Sequence, residues 1–190
     1  MHLSRQLPTV LLCAACVSLS ACGTLRTVNK LEDGAGAQAA RLWDRWIENG
    51  GDIAAVTSWE RKVQTGVTIK EVEEALISVA AEDNVKQVGV QHLSRELEAR
   101  TGKPQRYLAV YSYCDPETAR LMVDFSPHMS AFLPCRIALL EKEDGLWLYT
   151  VNMDMLIGIG RKLPPDLRKE ALRMRATIAK MLDRGARGEF

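Results

Sequence analysis

Two long stretches of the chain carry apolar residues at helical spacing, and each begins with residues that start helices. In the first, Thr68 and Glu71 have the spacing of a capping box. The apolar stripe that follows is formed by Val72, Ala75, Leu76, Val79 and Ala80. In the second, the segment Pro164-Pro165-Asp166 precedes the stripe formed by Ala171, Met174, Ile178 and Met181. The pattern predicts an amphipathic helix in each stretch.

The other apolar runs are shorter and rich in β-branched and aromatic residues, which favours strands. These predicted strands cover residues 58–65, 85–91, 107–113, 133–141 and 146–153. The pair Asp144-Gly145 joins the last two strands as a hairpin. A loop interrupted by Gly158 and Gly160 is expected between this hairpin and the final helix.

Three shorter helices complete the predicted elements. One covers residues 39–48 and ends at Asn49-Gly50-Gly51. One is opened by Ser94, and one begins at Asp115-Pro116, with aspartate as N-cap and proline in the first turn. The order is strand, helix, four strands with short helical insertions, helix. It predicts an α+β domain, in which a mostly antiparallel sheet carries its helices on one face.

The N-terminal residues have the organisation of a lipoprotein signal peptide. His2 and Arg5 form a basic tip, residues 10–17 are apolar, and Leu19-Ser20-Ala21-Cys22 ends the segment. The apolar run is too short for a transmembrane helix, which takes about 20 residues. We therefore expect Cys22 to become the first mature residue and to carry acyl chains such as palmitate. A plain cleaved signal peptide and an uncleaved anchor are the alternatives.

This interpretation divides the chain into four parts and gives it a location. The parts are a signal peptide (1–21), a tether (22–38), an N-terminal helix with its connection (39–57) and the α+β domain (58–190). Gly23 follows the cysteine with no aspartate near it, which favours the outer membrane facing the periplasm. Trp43 and Trp46 could form an interfacial anchor. Packing of that helix onto the domain is favoured, because the acyl chains already supply membrane affinity.

Composition excludes two broad classes. The 190 residues are 47% hydrophobic with a formal net charge of +1, so neither a disordered chain nor a nucleic-acid binder is indicated. Motifs for hydrolysis or group transfer are also missing: the sequence has no Gly-x-Ser-x-Gly elbow, no phosphate loop and no His-Glu-x-x-His helix. A non-enzymatic role is therefore favoured over catalysis.

Two cysteines remain in the mature chain beyond the lipidated one, Cys114 and Cys135. Cys114 has the strand parity of Leu108 and Val110, and Cys135 has that of Ile137 and Leu139, so both are expected to face inward. A disulfide is favoured in an oxidising compartment. Two buried free thiols and a metal or redox site are the alternatives.

Two ligand sites can be assembled around these cysteines. A copper site would combine Cys114 and Cys135 with His128 and Met129, because Cu(I) prefers sulfur and imidazole ligands. His92, Met153 and Met155 could complete it. Alternatively, a pocket between sheet and helices would accept a small apolar or haem-like ligand. Its expected lining is Tyr111, Tyr113, Phe125, Phe132 and Trp147, although core packing is the simpler role for these aromatic residues.

Several segments together resemble the domain-of-unknown-function family 302, and in particular its extracytoplasmic lipoprotein branch. They are residues 111–119 (YSYCDPETA), 133–141 (LPCRIALLE) and 144–147 (DGLW), with 153–155 and 163–165 in support. The resemblance implies a fold similar to that of the TATA-binding protein, usually seen as a dimer. It implies no DNA binding and brings no activity with it.

These observations lead to two hypotheses of function. The first is a lipid-anchored, periplasm-facing binding module of unknown ligand, which is not an enzyme. The alternative is a periplasmic redox, copper- or haem-handling protein that uses Cys114 and Cys135. A homodimer is expected in either case, because two of the strands are apolar on both faces and helices cover only one.

Overall fold

The computed structural model describes residues 28–190. The predicted signal peptide, Cys22 and the first part of the tether lie outside these residues. The described chain begins with helix α1 (Ala35–Glu48), which follows Gly34 in the left-handed conformation at φ 83°. The short helix α2 (Ile53–Thr57) comes next, and the side chain of Asp52 caps it by accepting hydrogen bonds from the backbone N–H groups of Ala54 and Ala55.

Five strands form one antiparallel sheet. They are β1 (Ser58–Lys62), β2 (Lys86–Gln91), β3 (Leu108–Cys114), β4 (Cys135–Lys142) and β5 (Gly145–Val151). Their order in the sheet is β1-β5-β4-β3-β2, so the first two strands of the chain form its two edges. The predicted α+β class is confirmed, and so is the hairpin at Asp144-Gly145, which joins β4 to β5.

Helices connect or follow these strands. They are α3 (Ile69–Glu82), α4 (Leu93–Thr101), α5 (Pro116–Phe125), a 3-10 helix (Pro127–Phe132), α6 (Met153–Gly158) and α7 (Pro165–Arg187). Of the residues described, no helix combines the length and the apolarity needed to cross a membrane.

The hydrophobic core lies between one face of the sheet and the helices α3 and α7. Both predicted stripes face it: Val72, Leu76, Ile178 and Met181 have no exposed surface. Strand β3 alternates between buried and half-buried residues, so Ala109, Tyr111 and Tyr113 face the helices and Leu108 and Val110 face the other way. Burying the helix side of the sheet against these two helices is the main source of stability for the fold.

Two predicted boundaries were wrong. Asn152 caps α6 by accepting a hydrogen bond from the backbone N–H of Met155, so residues expected in a strand and a glycine loop form a helix. Helix α1 starts at Ala35, inside the predicted tether, and the residues before it are fixed to the domain. Leu31 pairs with Arg161, and the backbone N–H of Leu163 donates to the Glu32 carboxylate at 3.1 Å.

Candidate ligand-binding cavity

A small, mostly apolar cavity lies at one end of the sheet, where β3 runs into α5. Helices α6 and α7 and the 3-10 helix supply the rest of its lining. Its volume is about 60 Å³. Pockets for drug-sized ligands measure about 300–1,000 Å³, so this one suits an ion or a ligand of a few heavy atoms and is too small for a haem.

Cys114 and Cys135 both line this cavity, although they reach it from different faces of the sheet. Cys135 begins β4 on the helix-facing side, opposite Tyr113 in the register. Cys114 lies on the same side of β3 as Leu108 and Val110, which face away from the helices. The prediction that both cysteines lie on the helix-facing side of the sheet was therefore wrong for Cys114. Cys114 nevertheless reaches the cavity because β3 ends there and the chain turns into α5.

Burial dominates the acid–base behaviour of the two thiols. It raises the pKa of Cys135 to about 11, and the neighbouring Cys114 adds to this effect while Arg136 opposes it. The pKa of Cys114 is also raised, first by burial and then by the charge of Asp115. Both side chains are free thiols in the structure. At neutral pH they are protonated, whereas thiols that act as nucleophiles have lowered pKa values.

Asp115 fixes the wall of the cavity next to Cys114. It caps α5 by accepting hydrogen bonds from the backbone N–H groups of Glu117 and Thr118, and it forms an ion pair with Arg173 of α7. Burial would raise the pKa of Asp115, but the hydrogen bonds from Thr118 and from those two N–H groups outweigh it, and the pKa is lowered. The carboxylate is thus engaged in holding α5 against α7 and is not free to act on a ligand.

Only some of the residues predicted for the two sites lie here. Tyr113, Phe132 and Met129 line the cavity together with the two cysteines, and so does Met153. His128 is exposed on the 3-10 helix and does not line it, and His92 lies at a different surface site beside α4. Within residues 28–190, no three histidine, cysteine, aspartate or glutamate side chains group closely enough to hold a metal ion.

The remaining aromatic residues predicted for the pocket have other roles. The buried hydroxyl of Tyr111 donates to Glu73 of α3 at 2.5 Å. Phe125 lies against the guanidinium of Arg161, 4.4 Å from the ring centroid. Trp147 is on the face of the sheet away from the helices, where its indole N–H donates to Asp144 at 3.0 Å. The prediction that these three line the pocket was wrong.

Met122 of α5 and Met174 of α7 line the cavity and were not among the predicted ligand residues. Met174 belongs to the apolar stripe of the final helix, so its inward direction was predictable but its neighbours were not. Met122 lies two helical turns after the Asp115-Pro116 helix start, on the side of Thr118. That spacing could have identified it.

Helix α1 does not pack as expected. Trp43 is 61% exposed and Ile47 is 59% exposed, although Trp46 is half-buried and its indole N–H donates to the carbonyl of Gly51 at 2.6 Å. The prediction that this helix packs both tryptophans onto the domain was therefore wrong for Trp43. Trp43 and Ile47, one helical turn apart on α1, therefore form an apolar patch that remains open to solvent, and Ile53 at the start of α2 is also exposed.

Comparisons with known proteins agree with the fold. A family model described as "Domain of unknown function DUF302" matches residues 59–185. A crystal structure of an uncharacterized conserved protein DUF302 from Bacillus stearothermophilus is similar, with a TM-score of 0.55 and 19% sequence identity. The match covers 67% of this chain and 97% of that one. At this identity the likeness concerns the fold alone. No curated protein matches the chain.

Proposed function

The chain belongs to the DUF302 family, whose name leaves its activity open, and we propose that it is a lipid-anchored, periplasm-facing module that binds a small ligand without catalysis. The cavity beside Cys114 and Cys135 carries this proposal. It is mostly apolar, it opens at the surface, and Asp115 at its wall is held by Arg173. Sites that bind small ligands have this character, with few polar groups among many apolar ones.

Xenon is a suitable probe for a cavity of this size, because small apolar cavities bind it. In protein labelled at the methionine methyl groups, xenon should shift the NMR signals of Met122, Met129 and Met174, and leave those of Met155 and Met181 unchanged. Ala171→Leu should fill the cavity and abolish the shifts. Ala37→Leu, on the exposed side of α1, is the control. Equal shifts at all methionines, or none, would refute a binding cavity.

Cys22 is the residue we propose for the lipid anchor. The signal-like segment before it supports this assignment, and the exposed apolar residues Trp43 and Ile47 of α1 support a position close to the membrane surface. Leu31, which pairs with Arg161 of the domain, lies only nine residues after Cys22, so the anchor would hold the domain near the bilayer. The extracytoplasmic lipoprotein branch of the family and the outer membrane belong to the same proposal.

Cells grown with labelled palmitate test the anchor. The wild-type chain should incorporate label and sediment with membranes, and Cys22→Ser should lose both properties after a salt wash. Cys16→Ser, within the proposed signal peptide, should keep both. If Cys22→Ser still carries label, the acylation site is wrong. If it loses label but still sediments, the uncleaved signal peptide or α1 is the anchor instead.

We also propose that the protein is a homodimer that uses the open face of the sheet. Leu108, Val110, Leu140 and Trp147 all lie on this face and are only half-buried. Charges of both signs lie beside them, since Glu60 and Lys62 point from β1 to the same side. Such a face can be complementary to a second copy of itself across a two-fold axis.

Light scattering should therefore give twice the chain mass for the purified protein. Leu140→Glu should produce a monomer, because it places a charge in the middle of the apolar face. Leu172→Glu is the matched control, since Leu172 is exposed on α7. A monomeric wild-type protein at micromolar concentration would refute the dimer.

Redox activity of Cys114 and Cys135 is the second candidate function. The two thiols border one cavity and Cys114 lies close enough to raise the pKa of Cys135. A bond between them would close a loop of about 20 residues and stabilise the fold by roughly 3 kcal/mol in the chain-entropy model. Thiol titration of denatured protein taken from the periplasm should then find no free thiol before reduction and two after it. Two free thiols at the start would exclude this candidate.

A further inference from the structure

Sulfur is concentrated in the cavity beside β3. The described residues contain two cysteines and six methionines, and both cysteines and four of the methionines line this one cavity. The four are Met122, Met129, Met153 and Met174. They come from four different elements, namely α5, the 3-10 helix, α6 and α7. Tertiary structure, and not a local repeat, brings them together.

These side chains offer one kind of chemistry. Thiolate and thioether sulfurs are soft ligands, which favour Cu(I) over hard cations such as Mg²⁺ or Ca²⁺. A structural zinc site would use four cysteine or histidine ligands. Here only two cysteines are at hand, because His128 points elsewhere and His92 lies at another surface site. Cu(I) can be bound by fewer than four ligands, and thioether sulfurs are among the ligands that it accepts.

We propose that this cavity binds one Cu(I) ion, held by the sulfurs of Cys114 and Cys135 and by thioether sulfurs of the surrounding methionines. The proposal rests on the proposed function in that it names the ligand of the same cavity. The volume of about 60 Å³ agrees with an ion that has lost its water.

Charge and protons balance in this site. Each thiol gives up its proton when its sulfur bonds to the metal, so one Cu(I) and two thiolates carry a net charge of −1 and two protons leave for solvent. Because an ordinary cysteine thiol is protonated at neutral pH and must lose its proton to bind the metal, metal affinity rises with pH.

Competition with a chromophoric Cu(I) chelator, bathocuproine disulfonate, tests the proposal. The purified mature lipoprotein, which has lost Cys13 and Cys16 with its signal peptide and carries acyl chains on Cys22, should be reduced and kept without oxygen, and should then withdraw one Cu(I) per chain from the chelator. The apparent affinity should increase with pH by close to 100-fold per unit around neutral pH, because two protons are released. Failure to withdraw copper, or an affinity that does not depend on pH, would overturn the proposal.

Variants separate coordination from simple core packing. The double variant C114S/C135S should lose at least 100-fold in affinity, and M122L/M129L should lose about tenfold. Leucine nearly conserves the volume of methionine, so the second variant should stay folded. M155L/M181L changes the two methionines outside the cavity and should bind like the wild type. Equal affinity in M122L/M129L and M155L/M181L would overturn the thioether part of the site.

The failure of this proposal can be distinguished from failure of the proposed function. If Cu(I) does not bind but xenon still shifts the methionine methyl signals of the cavity, the cavity binds apolar ligands and the copper site is wrong. If neither binds, the cavity itself is not a ligand site. Binding of Cu(I) that persists in C114S/C135S would place the metal elsewhere on the chain and would also refute the site.

Discussion

Gly188 ends α7 in a left-handed backbone conformation, which residues with a side chain adopt only under strain. Its φ is 65°, and a Cβ atom added there would lie 2.9 Å from Val67. Gly188→Ala should therefore lower the free energy of unfolding by about 1–3 kcal/mol. Gly36→Ala is the matched control, because Gly36 lies inside α1 with no atom near its added Cβ. It should be neutral or raise the free energy of unfolding by less than 1 kcal/mol. Urea unfolding of both variants measures the difference, and similar values would contradict the strain argument.

Glu73 is the acceptor for a buried tyrosine. The Tyr111 hydroxyl, in a side chain that is only 2% exposed, donates to it at 2.5 Å, and Tyr107 donates to the same oxygen at 3.2 Å. Glu73→Ala should cost about 1–3 kcal/mol of unfolding free energy, because the buried Tyr111 hydroxyl loses its carboxylate acceptor and keeps only the Tyr107 hydroxyl as a partner, at 2.7 Å. Glu73→Gln keeps a carbonyl oxygen there and should cost less. Urea unfolding at neutral pH compares the two, and equal losses would show that the hydrogen bond contributes little.

At the residue scale the sequence predicted the direction of some side chains correctly and of others wrongly. Strand parity predicted the direction of Cys135 correctly. It predicted the wrong direction for Cys114, because Leu108 and Val110 on the same side of β3 were assumed to face the helices. Both faces of β3 are apolar, so the sequence alone does not reveal which one the helices cover. Trp147 was misplaced for the same reason, since it lies on the open face of β5.

Among the elements, α3 has the clearest local start. Thr68 accepts a hydrogen bond from the backbone N–H of Glu71 at 3.3 Å, and Glu71 accepts one from the N–H of Thr68 at 2.7 Å. Thr68→Ala should lower the free energy of unfolding by about 1 kcal/mol. Thr68→Ser keeps the hydroxyl and should be nearly neutral. Thermal unfolding measured by circular dichroism would test this, and an equal loss in both variants would show that the hydroxyl is not responsible.

Elements with such local stop and start residues were predicted well, and the others were not. The capping box of α3, the Asp115-Pro116 start of α5 and the Asp144-Gly145 turn all define their elements over a few residues. Helix α6 was missed because the polar residues Asn152 and Asp154 alternate with the apolar residues around them, so the pattern of β5 continues past its end. The cavity depends on α6, and its shape was therefore beyond what the sequence pattern could predict.

For the molecule as a whole, partly buried carboxylates connect α7 to its neighbours. Asp83, at the end of α3, accepts hydrogen bonds from Thr177 and Lys180, and Asp115 pairs with Arg173. Burial would raise the pKa of Asp83, but those hydrogen bonds and the charge of Lys180 outweigh it, so the pKa is lower than that of an ordinary aspartate. The stabilisation from these carboxylates is complete above the pKa of the unfolded chain and is lost as pH falls through the lower folded-state pKa.

Acid should therefore destabilise the protein mainly below about pH 4. Urea midpoints measured from pH 7 down to pH 2 should fall most steeply in that window. In Asp83→Asn the decline should be shallower, because one of the groups that must be protonated has been removed, although the variant should be less stable at neutral pH. A decline of equal steepness in both proteins would contradict the role of Asp83.

The order of the strands in the sheet also determines when the chain can fold. Strand β1 pairs only with β5, and α3 packs mainly against α7, so these two early elements lack their main partners until the last third of the chain is available. Contacts between distant parts of a sequence form slowly. We expect this order to delay folding of the exported chain proposed above during its synthesis. The chain is then still unfolded when it passes through a membrane pore.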